Sequence, residues 1–391
     1  MTPSKIFLYF LLSFIGGVFL SSFFNVPKLI IYELFILGVF YSLIFFKQKA
    51  IVIFAICLII LGLGILRTEI SKVSETGSLS VLKGEGYFSA LKQKFREVIY
   101  QNFSPPQSSI LAAILIGDKE KIAQEWKEKL NIAGVRHITA ISGMHIVILS
   151  QILLWLGIFL GLYRGQAFYF ALGVLWGYIL LIGFQPSAIR AGIMGSAFLF
   201  CQKIGRQKAA FNTLVLAAAI MLLFSPLLLR QSVGFQLSFL ATLGIIYLTP
   251  FFANLLQKIK ILKDLNLSSL LGMTFGALTS TLPVLIYNFG YLSLVTPLTN
   301  ILIIPFLPCL MGLGFCFLLL GAIWEPIGWI LSLPVWLLLS YLTSIINFFS
   351  QISWASMTFR IPWFWLPICY FSFGYFLWHL KKKEKLKLLN Y

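Results

Sequence analysis

The sequence predicts an all-α, polytopic membrane protein with about 11–12 transmembrane helices and two surface amphipathic helices. Of its 391 residues, 59% are hydrophobic and only 11% are charged, and the mean hydropathy is +0.93. A soluble fold of this size has too little interior to bury so much apolar surface. The apolar segments are also continuous and close to the roughly 20 residues that a helix needs to cross a bilayer.

Twelve apolar intervals carry the transmembrane prediction. The first is interpreted as a retained helix because it lacks a small-residue cleavage site and further spans follow. The predicted spans are 6–24, 28–46, 50–66, 138–162, 166–184, 187–202, 209–229, 232–253, 268–289, 293–321, 327–349 and 361–380.

The basic residues set the predicted orientation. With the N-terminus in the cytoplasm, the inside loops and the tail carry half of the thirty Lys and Arg residues. The short outside loops carry only Lys28, Arg230 and Arg360. We therefore expect a multi-pass protein of the bacterial plasma (inner) membrane with both termini in the cytoplasm. Because topology explains half of the basic residues, the net charge of +18 is weak evidence for nucleic-acid binding.

The predicted regions are N-terminal membrane helices (1–66), a polar extracytoplasmic segment (67–136), a transmembrane domain (137–380) and a basic cytoplasmic tail (381–391). In the polar segment, apolar residues recur at helical spacing up to Pro105-Pro106 and predict an amphipathic helix lying on the membrane. A second amphipathic helix is predicted to begin with Asp118 as its N-cap. This second helix either lies on the membrane or packs against a partner helix.

The sequence predicts no catalytic residue, metal site or cofactor. It has no Gly-x-x-x-x-Gly-Lys-Ser/Thr loop, so ATP hydrolysis by the chain itself is not expected. Its three histidines are His137, His145 and His379, too few and too scattered for a two-metal hydrolase. The five cysteines form no Cys-x-x-Cys pair.

Polar residues inside the predicted spans mark the candidate functional residues, and the most prominent set lies at 134–150. On one helix, Thr139, Ser142 and His145 are three residues apart and would form a polar stripe, with Gly143 leaving room for close approach. Hydrocarbon cannot hydrogen-bond such groups, so they are expected to face protein or water.

Three further polar blocks follow along the chain. Ser187 and Arg190 lie one turn apart at the start of a span, and Gln236 and Ser238 share the next block. The third block extends from 279 to 308, contains Asn288 and several prolines, and predicts a broken helix whose freed carbonyl groups line an aqueous path.

These blocks together resemble the competence domain of the ComEC family, inner-membrane proteins implicated in DNA uptake during natural transformation. The resemblance covers roughly residues 105–310 and rests on AAILIGD with GVRHITAISGMHIVIL, QPSAIRAGIM, SPLLLRQSVGFQLSFLATLGI and TLPVLIYNFGYLSLVTPLTNILIIPFLP, in that order. The matching positions are Gly117, His137, Ser142, Gly143, His145, Pro186, Ser187, Arg190, Ala191, Pro226, Gly234, Gln236, Ser238, Pro283, Asn300 and Pro305. The resemblance implies a competence-type channel domain that translocates single-stranded DNA into the cytoplasm.

Long members of this family also carry an OB-like module, thought to receive DNA, and a metallo-β-lactamase-like module, thought to degrade the strand that is not transported. About twenty residues separate the third span from the first amphipathic helix, too few for an OB barrel. The chain ends just after its last predicted helix, so the second module is also expected to be absent. We therefore expect a DNA receptor, a separate nuclease and a cytoplasmic helicase-type ATPase as partners, with a homo-oligomer left open.

On this interpretation, single-stranded DNA passes along a mostly neutral polar path and meets a few phosphate contacts. The path candidates are His137, Thr139, Ser142, His145, Ser187, Arg190, Gln236, Ser238, Asn288 and Asn300, and the phosphate-contact candidates are Arg136 and Arg190.

Each functional role proposed for these residues has an alternative in which the residue only stabilises the fold. His145 would make a polar helix contact, Arg190 would bond the C-terminal carbonyl groups of a neighbouring helix, and Arg136 would snorkel. A hydrolase built on Ser142 and His145 is disfavoured because no third residue orients the pair. A transporter of a lipid or small solute on the same fold, and a non-conducting scaffold for uptake machinery, stay open as other functions.

Overall fold

The computed structural model describes residues 2–73, 88–183, 186–203, 210–260, 267–359 and 362–389. The α-helices are α1 (Pro3–Phe23), α2 (Lys28–Ile44), α3 (Lys49–Val73), α4 (Ser89–Asn102), α5 (Gln107–Ile116), α6 (Gln124–Ile132), α7 (Arg136–Thr139), α8 (Gly143–Phe159), α9 (Arg164–Leu181), α10 (Pro186–Lys203), α11 (Ala210–Phe224), α12 (Leu228–Gln231), α13 (Val233–Leu256), α14 (Leu267–Phe289), α15 (Thr296–Ile303), α16 (Leu307–Gly321), α17 (Glu325–Ser350) and α18 (Trp365–Leu389). A 3₁₀ turn (Ile304–Phe306) joins α15 to α16. Strands β1 (Tyr291–Ser293) and β2 (Ser356–Thr358) pair antiparallel, with Tyr291 opposite Thr358.

The predicted all-α membrane class is confirmed. A helix covers most of each of the twelve predicted intervals, and the interval 293–321 is divided between α15, the 3₁₀ turn and α16. Among the described residues, six helical segments are long and apolar enough to cross a membrane: Pro3–Phe23, Lys49–Lys72, Val233–Leu256, Leu267–Phe289, Thr296–Gly321 and Glu325–Ser350. The full number of spans and the orientation of the termini stay predictions.

The chain forms two compact units, each made of two separate stretches. The first contains Met1–Ala90 and Gly143–Gln236, and the second contains Leu91–Ser142 and Leu237–Tyr391. The four regions predicted from sequence stay a prediction. Residues 74–87 of the predicted polar segment, and 390–391 of the predicted basic tail, lie outside the described residues.

In the first unit, glycines bring α1 and α3 into close contact. A Cβ on Gly17 would meet the backbone of Leu61 and Ile65, and one on Gly64 would meet the backbone of Phe14 and Val18. Small residues allow such backbone approach between membrane helices, where dispersion contacts replace the hydrophobic effect as the main attraction.

The end of α3 is also tied to α11 in the first unit. Arg67 Nε donates to the carbonyl oxygen of Leu223 at 2.9 Å, and Arg67 Nη2 donates to that of Phe224, also at 2.9 Å. These are C-terminal carbonyl groups of α11, which have no donor within their own helix. Arg67 therefore caps α11.

In the second unit, α5 is an apolar helix at the centre of the core. Every residue from Ser108 to Ile116 is buried, and Gly314 of α16 makes room for Leu115. The helix ends at Gly117, which adopts φ +72°. This helix was not predicted, although its C-terminal residues belong to the AAILIGD motif, because it lies within the interval interpreted as a polar segment.

The first predicted amphipathic helix is α4. Its apolar residues Phe95, Val98 and Ile99 are buried within the protein, with Val98 against Gly321 at the end of α16. Protein contacts rather than lipid thus cover much of this face. The apolar residues predicted a one-sided helix, but they did not identify what it packs against.

The predicted start of the second amphipathic helix is wrong. α6 begins at Gln124 after Ala123, and Asp118 lies in the preceding loop. The carboxylate of Asp118 instead accepts a hydrogen bond from Arg96 Nε at 2.7 Å. Leu130 is buried, and Lys129 Nζ donates to Asn347 Oδ1 of α17 at 3.0 Å, so α6 packs against a partner helix, one of the two alternatives.

Candidate functional site

Two of the predicted path residues, His145 and Arg190, are buried in the first unit. His145 lies in the first turn of α8 and has 0% exposure, and Arg190 lies one turn into α10 and has 7% exposure. A Cβ added to Gly143 would lie 2.8 Å from Arg190 Nη2. The guanidinium group therefore occupies the space that a side chain at the first residue of α8 would need.

Two more candidates of the first unit are half-buried. Ser187 precedes Arg190 by one turn of α10. Gln236, near the start of α13, donates from Nε2 to the carbonyl oxygens of Leu229 at 2.9 Å and Arg230 at 3.4 Å. Gln236 thus closes the turn between α12 and α13, which is a structural role.

The predicted stripe of Thr139, Ser142 and His145 on one helix is wrong. α7 ends at Thr139, Ala140 is extended with φ −99° and ψ 125°, and α8 starts at Gly143. Ser and Gly are poor helix-interior residues, and Ser favours positions just before a helix. Because the chain leaves the helix at 140–142, three-residue spacing does not align these side chains.

In the second unit, the turn between α6 and α7 packs against the segment that leads into α15. Gly134 adopts φ +73°, and a Cβ there would clash with Thr296 Oγ1 and lie 2.8 Å from Ser293 Oγ. Thr299 Oγ1 donates to the carbonyl oxygen of Ala133 at 2.9 Å. The first and the fourth sequence blocks are therefore in direct contact.

Arg136 is an exposed cation at the edge of this contact. Its Nη1 donates to Asn131 Oδ1 at 3.1 Å and to the hydroxyl of Tyr291 at 3.5 Å, and its guanidinium carbon lies 6.0 Å from the centroid of the Phe289 ring. The aromatic ring and the two polar partners hold the guanidinium at the surface. Such a group can bind an anion without a large desolvation cost.

The neighbouring helix α7 carries two further candidates. His137 is exposed, whereas Thr139 is buried and donates from Oγ1 to the carbonyl oxygen of Arg136 at 2.9 Å. Thr139 thus stabilises its own short helix.

The remaining candidates are distributed over α13, α14 and α15. Asn300 is buried and donates from Nδ2 to Thr274 Oγ1 at 3.4 Å, while within the described part of the chain no donor reaches its Oδ1. Asn288 is exposed and donates to the carbonyl oxygen of Val284 at 2.8 Å. Ser238 is half-buried near the start of α13.

The fourth block contains a broken helix, as predicted, although α14 itself continues through Pro283 to Phe289. The hydroxyl groups of Thr279, Ser280 and Thr281 donate to carbonyl groups three or four residues earlier on the same helix. The chain instead leaves the helix at Gly290 and again at the 3₁₀ turn 304–306, which contains Pro305. Both breaks lie within the predicted region 279–308, and the aqueous path along them stays a prediction.

Two cavities among the described residues are lined without any candidate residue. One is a small void between α15, α16 and α17 around Tyr341, and the other is a wide apolar cleft between α1 and α3. Within the described ranges, no three His, Cys, Asp or Glu side chains lie close enough to hold a metal ion. A common aqueous path for the candidates stays a prediction.

Comparison with protein families matches residues 114–384, more than half of the chain, to the competence protein family. The chain belongs to the competence protein family. The match includes α8, α10 and the contact between residues 133–136 and 289–300, so the candidate residues all lie within the matched range. The family resemblance proposed from the four sequence blocks is thereby confirmed.

Two curated relatives share part of this region. ComE operon protein 3 of Bacillus subtilis (strain 168) is 31% identical over 203 residues, which cover 52% of this chain and 25% of that protein. The uncharacterized protein YcaI of Escherichia coli (strain K12) is 26% identical over 287 residues, covering 67% of this chain and 36% of that protein. The chain thus spans about a quarter to a third of the length of these relatives. No solved structure gives a significant match.

Proposed function

We propose that this membrane protein forms an inner-membrane channel, or a channel subunit, that passes single-stranded DNA into the cytoplasm during natural transformation. The observation that carries the proposal is the family match over residues 114–384, within which Arg190 is buried beside Gly143 at the start of two apolar helices. Insertion scales put the cost of an arginine at the centre of a transmembrane helix at roughly 2.5–3.5 kcal/mol unless it has partners or water, so a buried guanidinium in a membrane protein is commonly functional.

The proposed chemistry needs few charges. Bases pass through a mostly neutral polar path without sequence readout, while Arg190 and the exposed Arg136 relieve the charge of the phosphates one at a time. A path with many cations would bind the strand too tightly to release it. The hydroxyl and amide groups of Ser187, Asn288 and Asn300 supply exchangeable hydrogen bonds along the path.

The proposal assigns the other steps of uptake to separate proteins. A DNA receptor delivers the strand, a nuclease removes its complement, and a cytoplasmic helicase-type ATPase or strand-binding protein supplies the direction. A homo-oligomer is compatible with the proposal, because a path formed between copies has the same chemistry as one within a single copy.

The test is uptake of labelled DNA in a deletion strain that carries variants of this chain. Arg190→Glu and Arg190→Ala are expected to abolish uptake while membrane insertion stays normal, and His145→Ala is expected to reduce it. Arg164→Gln is the matched control, because Arg164 is an exposed arginine at the start of α9 in the same unit. Normal uptake by a well-inserted Arg190→Glu protein would refute the role of Arg190 and favour a scaffold or another cargo.

A further inference from the structure

The first unit contains an apolar cleft that is distinct from the candidate path residues. It is a groove between α1 and α3, open along its outer side, that extends from Tyr9 to Gly16 on α1 and from Ala50 to Leu61 on α3 and has a volume of about 440 Å³. This volume falls within the range of about 300–1,000 Å³ typical of ligand sites. Nothing lies within 4 Å of a Cβ placed on Gly16, so the cleft is open at that point.

The cleft is as deep as one leaflet of a bilayer. At 1.5 Å per residue, Ala50 and Leu61 are roughly 16 Å apart along α3, about half of the roughly 30 Å hydrocarbon core. The cleft ends where Gly17 meets the backbone of Leu61. A transmembrane helix from another copy would need a groove along the whole span, whereas a lipid chain needs only this half.

The mouth of the cleft carries positive charge. Lys5 precedes Tyr9 by four residues on α1, and Lys49 precedes Ile53 by four residues on α3, so each lysine lies one helical turn beyond the cleft on the face that lines it. Lys47 lies in the turn just before α3. All three are exposed, and the first turns of α1 and α3 contain no acidic residue.

We propose that this cleft binds one anionic phospholipid, with an acyl chain between α1 and α3 and the phosphate at Lys5 and Lys49. Within a bilayer the cleft is filled by hydrocarbon, and the adjacent lysines select a lipid whose headgroup has a net negative charge. The Tyr9 ring lies between the two regions, at a level where amphipathic aromatic residues are favoured. This site does not depend on the DNA-uptake proposal.

Native mass spectrometry of the full chain in detergent, titrated with phosphatidylglycerol or phosphatidylcholine, tests the proposal. The wild-type protein is expected to retain one phosphatidylglycerol in preference to phosphatidylcholine. Lys5→Gln and Lys49→Gln should each weaken phosphatidylglycerol binding about fivefold and leave phosphatidylcholine binding unchanged. Lys28→Gln is the matched control, because Lys28 lies at the start of the antiparallel α2, at the opposite end of the bundle.

A variant that fills the cleft provides a second, independent test of lipid binding. Gly16→Leu projects into open space and replaces a glycine within a helix, so the variant is expected to fold and to lose the bound phosphatidylglycerol. Equal binding of the two lipids by the wild-type protein would overturn the proposal, as would full binding by Gly16→Leu. Disulfide cross-linking between copies in membranes by a variant that keeps only Cys57, which lines the cleft, would assign the cleft to a second copy instead.

Discussion

The guanidinium group of Arg190 lies against Gly143, at a distance that leaves no room for a side chain on the glycine. A Cβ at residue 143 would be 2.8 Å from Nη2 of Arg190 and 3.8 Å from the Cβ of Ala191. Two family blocks, ISGMH and PSAIRA, thus meet at the starts of α8 and α10. The position of the buried Arg190 guanidinium therefore depends on residue 143 having no side chain.

Gly143→Ala is expected to lower DNA uptake by an order of magnitude, equivalent to about 1.4 kcal/mol, without preventing membrane insertion. The new methyl group would displace the guanidinium, which is the flexible end of its side chain, while the helices stay in place. Uptake of labelled DNA and the amount of protein in the membrane are measured together. Gly195→Ala is the control, because a Cβ there meets nothing within 4 Å. Equal uptake by both variants would show that DNA uptake does not depend on the position of the Arg190 guanidinium.

Gly134→Ala is expected to destabilise the second unit by at least about 2 kcal/mol, because it adds strain at φ +73° to a clash with Thr296. Thermal unfolding of the purified protein in detergent measures the loss. Gly161→Ala is the control that measures the backbone strain alone, since Gly161 has φ +82° but open space around it. A loss of stability no larger than that of the control would show that the contact of 133–136 with 289–300 accommodates the added methyl group at little cost.

Thr299→Val is expected to lower the free energy of unfolding by about 0.5–1.5 kcal/mol, because it removes the hydroxyl that bonds to the carbonyl group of Ala133. Thr279→Val provides the comparison, since the Thr279 hydroxyl is exposed and bonds only within its own helix, to Phe275. Its expected loss is below about 0.5 kcal/mol. Similar losses at the two sites in a denaturation series would argue against a bond that joins α15 to the turn before α7.

Asp118→Ala is expected to destabilise the protein by about 1–2 kcal/mol, because the buried carboxylate is the partner of Arg96. Removing it leaves a half-buried guanidinium with one fewer acceptor. Denaturation of the variant is compared with that of Glu97→Ala, whose carboxylate is exposed and accepts from Gln93 on the same helix. If Asp118 were instead an N-cap of α6, the loss would appear as a selective loss of helix and would be unaffected by Arg96→Ala.

The sequence predicted the class of fold and most helices, because hydrophobic segments of membrane length leave little choice of structure. It failed where the deciding interaction is tertiary. Asp is a residue type that favours N-cap positions, but Asp118 instead forms a salt bridge with Arg96, which lies 22 residues earlier in the sequence. Proline usually interrupts a helix, yet α14 continues through Pro283, where the Tyr370 hydroxyl donates to the carbonyl oxygen of Ser280 at 3.2 Å.

The candidate residues show the same division. Polarity within apolar segments correctly singled out Arg190 and Asn300 as buried polar groups. It did not separate them from Gln236 and Thr139, whose side chains bond to nearby backbone carbonyl groups and stabilise local turns. The contact of Gly134 with Thr296 joins positions more than 160 residues apart, and single-sequence spacing carries no signal for it.

Photo-cross-linking of a strand arrested during uptake tests the central claim most directly. With p-benzoylphenylalanine in place of Ser187 in the first unit, or of Asn288 in the second, radiolabelled single-stranded DNA is expected to cross-link to the protein in intact cells. The same group in place of Trp155, which is 71% exposed on α8, is expected to give no DNA adduct. Cells that take up DNA but give no adduct at 187 or 288, or give as much at 155, would contradict a DNA path along these residues.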